Sequence, residues 1–111
     1  MKVFALKSCD TCRKALKELA AAGYDLQVVD LRADGVSAQE IAQFIAEFGE
    51  KALNKASTTW RGLPEDQESR PIADLLADHP TLLKRPVIEQ GGVWYQGWTP
   101  AVRAALIGTP K

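Results

Sequence analysis

The sequence predicts an α/β fold, a small mixed sheet with flanking helices, from three observations. A strand–helix–strand pattern opens the chain, a helical stretch fills its middle, and a hairpin followed by a helix closes it. The 111 residues are 46% hydrophobic and 25% charged, which suits one ordinary domain and is too short for two substantial cores. We therefore expect a single domain over 1–111 with a helical insertion at about 36–83.

Met1-Lys2-Val3-Phe4-Ala5-Leu6 reads as the first strand. From Thr11 to Ala22, Ala15, Leu16, Leu19 and Ala20 share one helical face, Arg13, Lys14, Lys17 and Glu18 share the other, and Gly23 is a natural stop. Leu26–Leu31 makes the second strand, completing a βαβ unit. Ser37-Ala38-Gln39-Glu40 has the pattern of a capping box, followed by Ile41, Phe44, Ile45 and Phe48 at helical spacing before Gly49.

Beyond it, short helices are predicted near Lys51–Lys55 and from about Arg70 to Asp78, with a turn at Thr81–Leu83. The polar run Pro64–Ser69 is predicted to be a mobile loop. Val87-Ile88-Glu89, Gly91-Gly92 and Val93-Trp94-Tyr95 form a hairpin signal. Thr99-Pro100 then opens a last helix, with Thr as cap and Pro in the first turn.

Composition narrows the function. Fourteen basic residues balance fourteen acidic ones, which gives no support to direct nucleic-acid binding. No apolar run approaches the roughly 20 residues needed to span a bilayer, and the opening strand meets Lys7 and Cys9 too soon for a signal-peptide core. A cytoplasmic protein with no membrane association is expected, where a structural disulfide is disfavoured. Two Cys and one His cannot complete a four-ligand zinc site within one chain. No bound metal or cofactor is expected, and only a Cys₄ site shared by two chains would restore a metal. His79, in Asp78-His79-Pro80, reads as a helix stop rather than as a catalytic base.

Cys9-Asp10-Thr11-Cys12-Arg13 sits where the first strand gives way to the first helix. The N–H groups of a first helical turn lack intrahelical partners, and the helix dipole adds about half a positive charge there. A thiolate at Cys9 can accept those N–H groups, which lowers its pKa and makes it a nucleophile at neutral pH. Cys12 lies one turn on, at a Cα separation of about 5 Å for helical geometry, inside the disulfide range of about 4.4–6.8 Å. Cys12 is therefore placed to resolve a mixed disulfide on Cys9. The bland alternative is a pair of inert buried cysteines; the strand-to-helix junction favours redox use. Arg13, a cation in the first turn, opposes the dipole and is expected to face an anion or the thiolate.

Several segments together resemble the arsenate reductase-like family, which holds the glutaredoxin-type arsenate reductases, the Spx transcriptional regulators and a group of glutathione-dependent thiol reductases. They are Lys7-Ser8-Cys9-Asp10-Thr11-Cys12-Arg13-Lys14-Ala15, Leu53-Asn54-Lys55, Thr58-Thr59-Trp60-Arg61 and Leu83-Lys84-Arg85-Pro86-Val87. The resemblance spans Val3 to about Ile107. It implies a thioredoxin-like (glutaredoxin-like) fold: a mixed four-stranded sheet, flanking helices and a helical insertion. It also implies roles. Cys9 takes the place of the nucleophile, Arg13 that of the arginine closing Cys-x-x-x-Arg, and Arg85 that of the anion-binding arginine. Pro86 corresponds to the cis-proline facing the reactive cysteine, where exposed backbone pairs with an extended glutathionyl peptide. Glutathione is the implied co-substrate. Lys7 and Arg61 are further candidates for its carboxylates, and each is equally readable as solvated surface charge.

Three departures bear on the activity. Ala5 stands where the arsenate reductases place a His, Asn54 stands where they place an arginine, and no arginine occurs in Tyr95-Gln96-Gly97. Without those donors a bound arsenate forfeits charge-assisted hydrogen bonds. A thiol reductase is therefore the leading expectation. An Spx-like redox regulator that binds RNA polymerase, which shares the second cysteine, and a true arsenate reductase are the alternatives. Trp94 is expected in the core, with Trp98 able to reach the site and Trp60 either core or groove wall.

Overall fold

In β1, Lys2–Ala5, three consecutive residues, Val3, Phe4 and Ala5, are buried. Side chains alternate across a strand, so both faces of β1 are covered, the condition of a central strand. The computed structural model, which describes residues 1–55 and 58–108, bears this out. β1 pairs in parallel with β2, Gln27–Asp30, and antiparallel with β3, Val87–Gln90, which pairs antiparallel with β4, Val93–Gln96. The order is β2-β1-β3-β4, the mixed four-stranded sheet that was expected.

The chain divides into two units, Met1–Asp30 with Arg85–Lys111, and Leu31–Lys84. The first holds the sheet with α1, Asp10–Ala21, and the last helix. On one face of β1, Val3 and Ala5 pack with Cys12 and Leu19 of α1, Ile88 of β3 and Leu106. Phe4, on the other face, stacks on Trp94 with ring centroids 6.2 Å apart; Trp94, expected in the core, is only half-buried. Gly91 and Gly92 both have positive φ between the paired residues Gln90 and Val93. A two-residue hairpin loop with that backbone is favoured because its twist matches that of the strands.

The C-terminal end of α1 closes with the Gly23 N–H on the Ala20 carbonyl (3.1 Å) and the Tyr24 N–H on the Leu19 carbonyl (3.2 Å). This is a Schellman motif, with Gly23 at φ +93°. The last helix of the chain, Pro100–Ile107, begins where Thr99 Oγ1 accepts the Val102 N–H at 3.2 Å.

The second unit is helical. α2, Ala38–Phe48, starts with the predicted capping box: Ser37 Oγ accepts the Glu40 N–H (3.0 Å), and Glu40 Oε1 accepts the Ser37 N–H (2.9 Å). It buries Ile41 and Phe44. Short α3, Thr58–Arg61, and α4, Glu65–Glu68, precede α5, Ile72–Asp78, which buries Leu75 and Leu76. The remaining helix, Pro100–Ile107, is α6.

Three expectations are corrected in this unit. The stretch predicted as a mobile loop contains α4. A 3₁₀ turn, Gly49–Ala52, replaces the helix expected at Lys51–Lys55, because Leu53 is extended and bridges Leu83. The Asn54 N–H on Leu82 and the Lys84 N–H on Ala52, each at 2.8 Å, flank that bridge. Finally, α5 begins two residues later than expected, after Pro71 in extended backbone.

Candidate active site

Cys9 is the N-cap of α1, with extended backbone (φ −90°, ψ 118°). Its position is held from both sides: the Cys9 N–H donates to the Leu6 carbonyl and the Arg13 N–H to the Cys9 carbonyl, both at 3.0 Å. The thiol is half-buried, whereas Cys12 is wholly buried; both cysteines are free. One turn of helix thus separates a thiol that meets solvent from one that lies in the core.

The electrostatics of the pair differ as sharply. Burial works to raise the Cys9 thiol, but the Cys12 backbone N–H, the Cys12 thiol and the hydrogen bond and charge of Arg85 outweigh it and hold its pKa below the ordinary value. No cap hydrogen bond of ordinary geometry reaches the neutral sulfur, so the helix N–H acts chiefly on the charged form, where its attraction is greatest. Cys12 moves the other way. Burial is the largest cause; with lesser help from the hydrogen bond and charge of Cys9 it outweighs the opposing Leu6 backbone hydrogen bond and Arg85 charge and pushes Cys12 up to about 12.

The tertiary fold therefore brings Cys9, Cys12 and Arg85 together, with Pro86 next to Arg85. The Arg85–Pro86 bond is cis, Pro86 is fully buried, and its carbonyl accepts the Gly97 N–H at 2.8 Å. The other expected residues are placed differently. Arg13 is exposed and its guanidinium is ion-paired with Asp10, three residues earlier. An exposed pair of this kind is worth at most about 1 kcal/mol, so an incoming anion can compete for Arg13. Lys7 is exposed in the turn before Cys9, and Arg61 ends α3 in the second unit, also exposed.

Trp98 donates its indole N–H to Glu18 of α1, whose other oxygen accepts from Arg103 Nε at 3.2 Å. The Trp98 hydrogen bond, with Arg103, holds Glu18 below the usual carboxylate range. The helical pattern placed Glu18 on a solvated face, and nothing local to it signals a partner about eighty residues away. Among the described residues, no group of three or more His, Cys, Asp or Glu side chains is placed to hold a metal ion. No helix of the described residues is long and apolar enough to cross a membrane.

A half-exposed thiol at the start of the first helix, beside a cis-proline and an arginine on a mixed four-stranded sheet, defines a thioredoxin-like protein of the thiol-dependent oxidoreductase class. Comparison with known proteins narrows the class. The model of the ArsC family matches residues 4–105, and the chain belongs to that family. An uncharacterized protein of Haemophilus influenzae is 41% identical over 95 residues, covering 81% of this chain and 83% of its own. Among solved structures, a YffB protein is similar at a TM-score of 0.88 and 32% identity, over 96% of this chain and 97% of that one. An arsenate reductase (ArsC) related protein from Brucella melitensis matches at a TM-score of 0.72 and 34% identity, over 94% and 91%.

Proposed function

We propose that the protein is a glutathione-dependent thiol–disulfide oxidoreductase with Cys9 as its nucleophile. The observation that carries this reading is the half-exposed Cys9 thiol, held below its ordinary pKa at the helix start beside Arg85. The Cys9 thiolate attacks the glutathionyl sulfur of a mixed disulfide R–S–S–G. The substrate thiolate leaves and takes a proton, and Cys9 carries the glutathionyl group. Attack by a second thiol on that group then returns the Cys9 thiolate, so one disulfide is reduced and another is formed. Arg85 stabilises the thiolate, and Lys7 and Arg13 are the cations available to the carboxylates of glutathione. The backbone beside Pro86 takes the extended peptide.

Arsenate is a poorer fit. Ala5, at the end of β1, is buried and offers neither charge nor a donor where the arsenate reductases place a His, and the side chain at residue 54 is neutral. The test is turnover of a glutathione mixed disulfide, coupled to consumption of free glutathione, with arsenate as the parallel substrate. The native protein should turn over the disulfide faster than arsenate, and Cys9→Ser should lower turnover by roughly 10³-fold or more, as loss of a nucleophile does. Undiminished turnover by Cys9→Ser defeats the proposal.

A further inference from the structure

We infer that the cleft between α1 and α6 is a binding site for a small organic anion with a flat apolar body, an aromatic carboxylate. The cleft has a volume of about 420 Å³; Trp98, Pro100 and Ala104 are its apolar lining, and Lys14 and Arg103 are its cations. Small-molecule sites span about 300–1,000 Å³ and join a mostly apolar lining to a few polar groups that fix orientation. All five residues belong to the unit that carries the sheet. None has a role in the thiol exchange proposed above, so the inference stands apart from that reading.

Glu18 organises the cleft. One of its oxygens accepts the Trp98 indole N–H, and the other accepts Arg103 Nε at 3.2 Å. The Trp98 hydrogen bond, followed by Arg103, holds Glu18 below the usual carboxylate range, so at neutral pH it is charged and both contacts are made. The indole is thereby held in place before a ligand arrives, which spares the ligand the cost of ordering it. Charge is also left over. Arg has five N–H donors in a planar fork, and Glu18 takes only the one on Nε. The terminal nitrogens of Arg103 have no partner among the described residues, and the side chain is 33% exposed, so an incoming anion can reach them. Lys14 makes no ion pair among the described residues. Two cations thus share one carboxylate whose oxygens are both engaged. A ligand carboxylate can pair with the Arg103 fork through two parallel hydrogen bonds, with Lys14 as the second charge and its ring against Trp98 and Pro100. A neutral aromatic forgoes the charge, and an inorganic anion forgoes the apolar lining.

The test is titration of the native ¹⁵N-labelled protein with 2-naphthoate at low ionic strength, where surface charges are least screened. Binding is followed through the backbone amide signals and the Trp98 indole N–H. Naphthoate is expected to bind with a Kd of about 1 mM or below, moving the signals of Lys14, Trp98 and Arg103. 2-Naphthalenemethanol, which keeps the ring without the charge, and acetate, which keeps the charge without the ring, should each bind at least about tenfold more weakly. Lys14 is exposed, so Lys14→Glu should leave the fold's amide spectrum in place while weakening naphthoate by about tenfold. Equal binding of the alcohol, or unchanged affinity in Lys14→Glu, overturns the anion site. Shifts confined to Cys9, Arg13 and Arg85 place the anion at the thiol and overturn it too, as does no saturable shift at about ten times the expected Kd.

Discussion

The two ends of α1 are built to opposite purposes. At its C-terminal end the backbone groups are closed by the Schellman motif at Gly23 and Tyr24, and the Tyr24 hydroxyl donates to the Leu106 carbonyl of α6. Glu18, one turn before, is taken by Trp98 and Arg103. At its N-terminal end the cap is a cysteine whose neutral sulfur makes no cap hydrogen bond, although Ser37 of α2 and Thr99 of α6 show that this chain supplies hydroxyl caps elsewhere. A hydroxyl cap stabilises a helix by typically about 1 kcal/mol. Cys9 forgoes that and leaves the first-turn N–H groups to stabilise a thiolate. Stability is thus concentrated at one end and reactivity at the other, and changes at the two ends should separate.

The largest separation is expected from Arg85→Gln, which removes the charge beside Cys9. The midpoint of Cys9 alkylation should rise by about one pH unit, with a roughly tenfold loss of thiolate at neutral pH. Denaturant stability should change little by comparison; if the midpoint stays while stability falls, the contrast between the ends is wrong. At the closed end, Gly23→Ala meets no atom within 4 Å of the added Cβ, so its cost is conformational. A left-handed backbone costs a non-glycine residue about 1–2 kcal/mol, which urea denaturation should register while the Cys9 midpoint remains in place.

The last effect is confined to alkaline pH. Burial raises the Cys12 thiol to about 12, so the unfolded chain releases this proton at lower pH than the folded protein does. The Cys12 contribution to stability must therefore fall as pH climbs from the ordinary thiol value of 9.0 towards about 12. Subtracting the Cys12→Ala curve from that of the native protein over this window should isolate the slope. Equal slopes would mean that Cys12 ionises as freely in the folded protein as in the unfolded chain.

Local chemistry made much of the fold legible. The capping box at Ser37 and Glu40, the Thr99-Pro100 start, the stop at Gly23 and the Gly91-Gly92 loop each act through groups within a few residues. Each appears where the chain pattern puts it. One departure has a remote partner as its cause and two are local. Leu53 is extended because Leu83 pairs with it, and no helical propensity near Lys51 reports that. Glu65–Glu68 forms a turn of helix within a polar run that carries no apolar periodicity. In the site, Cys9 was legible from the strand-to-helix junction and Arg85 only through family resemblance. Asp10, the partner of Arg13, lies one helical turn away, a spacing at which opposite charges meet.

By itself the sequence determined the α/β class, the place of both cysteines on one helical turn, and the reason a thiol there is activated. Those depend on backbone periodicity and on the unpaired N–H groups at a helix start, which travel with the local chain. Only the tertiary structure decided that Cys9 is half-exposed while Cys12 is wholly buried, and that Arg85, more than seventy residues on, acts on both. Burial and the field of a distant charge exist only once β1, β3 and α1 have packed together. They give two chemically identical thiols opposite pKa shifts.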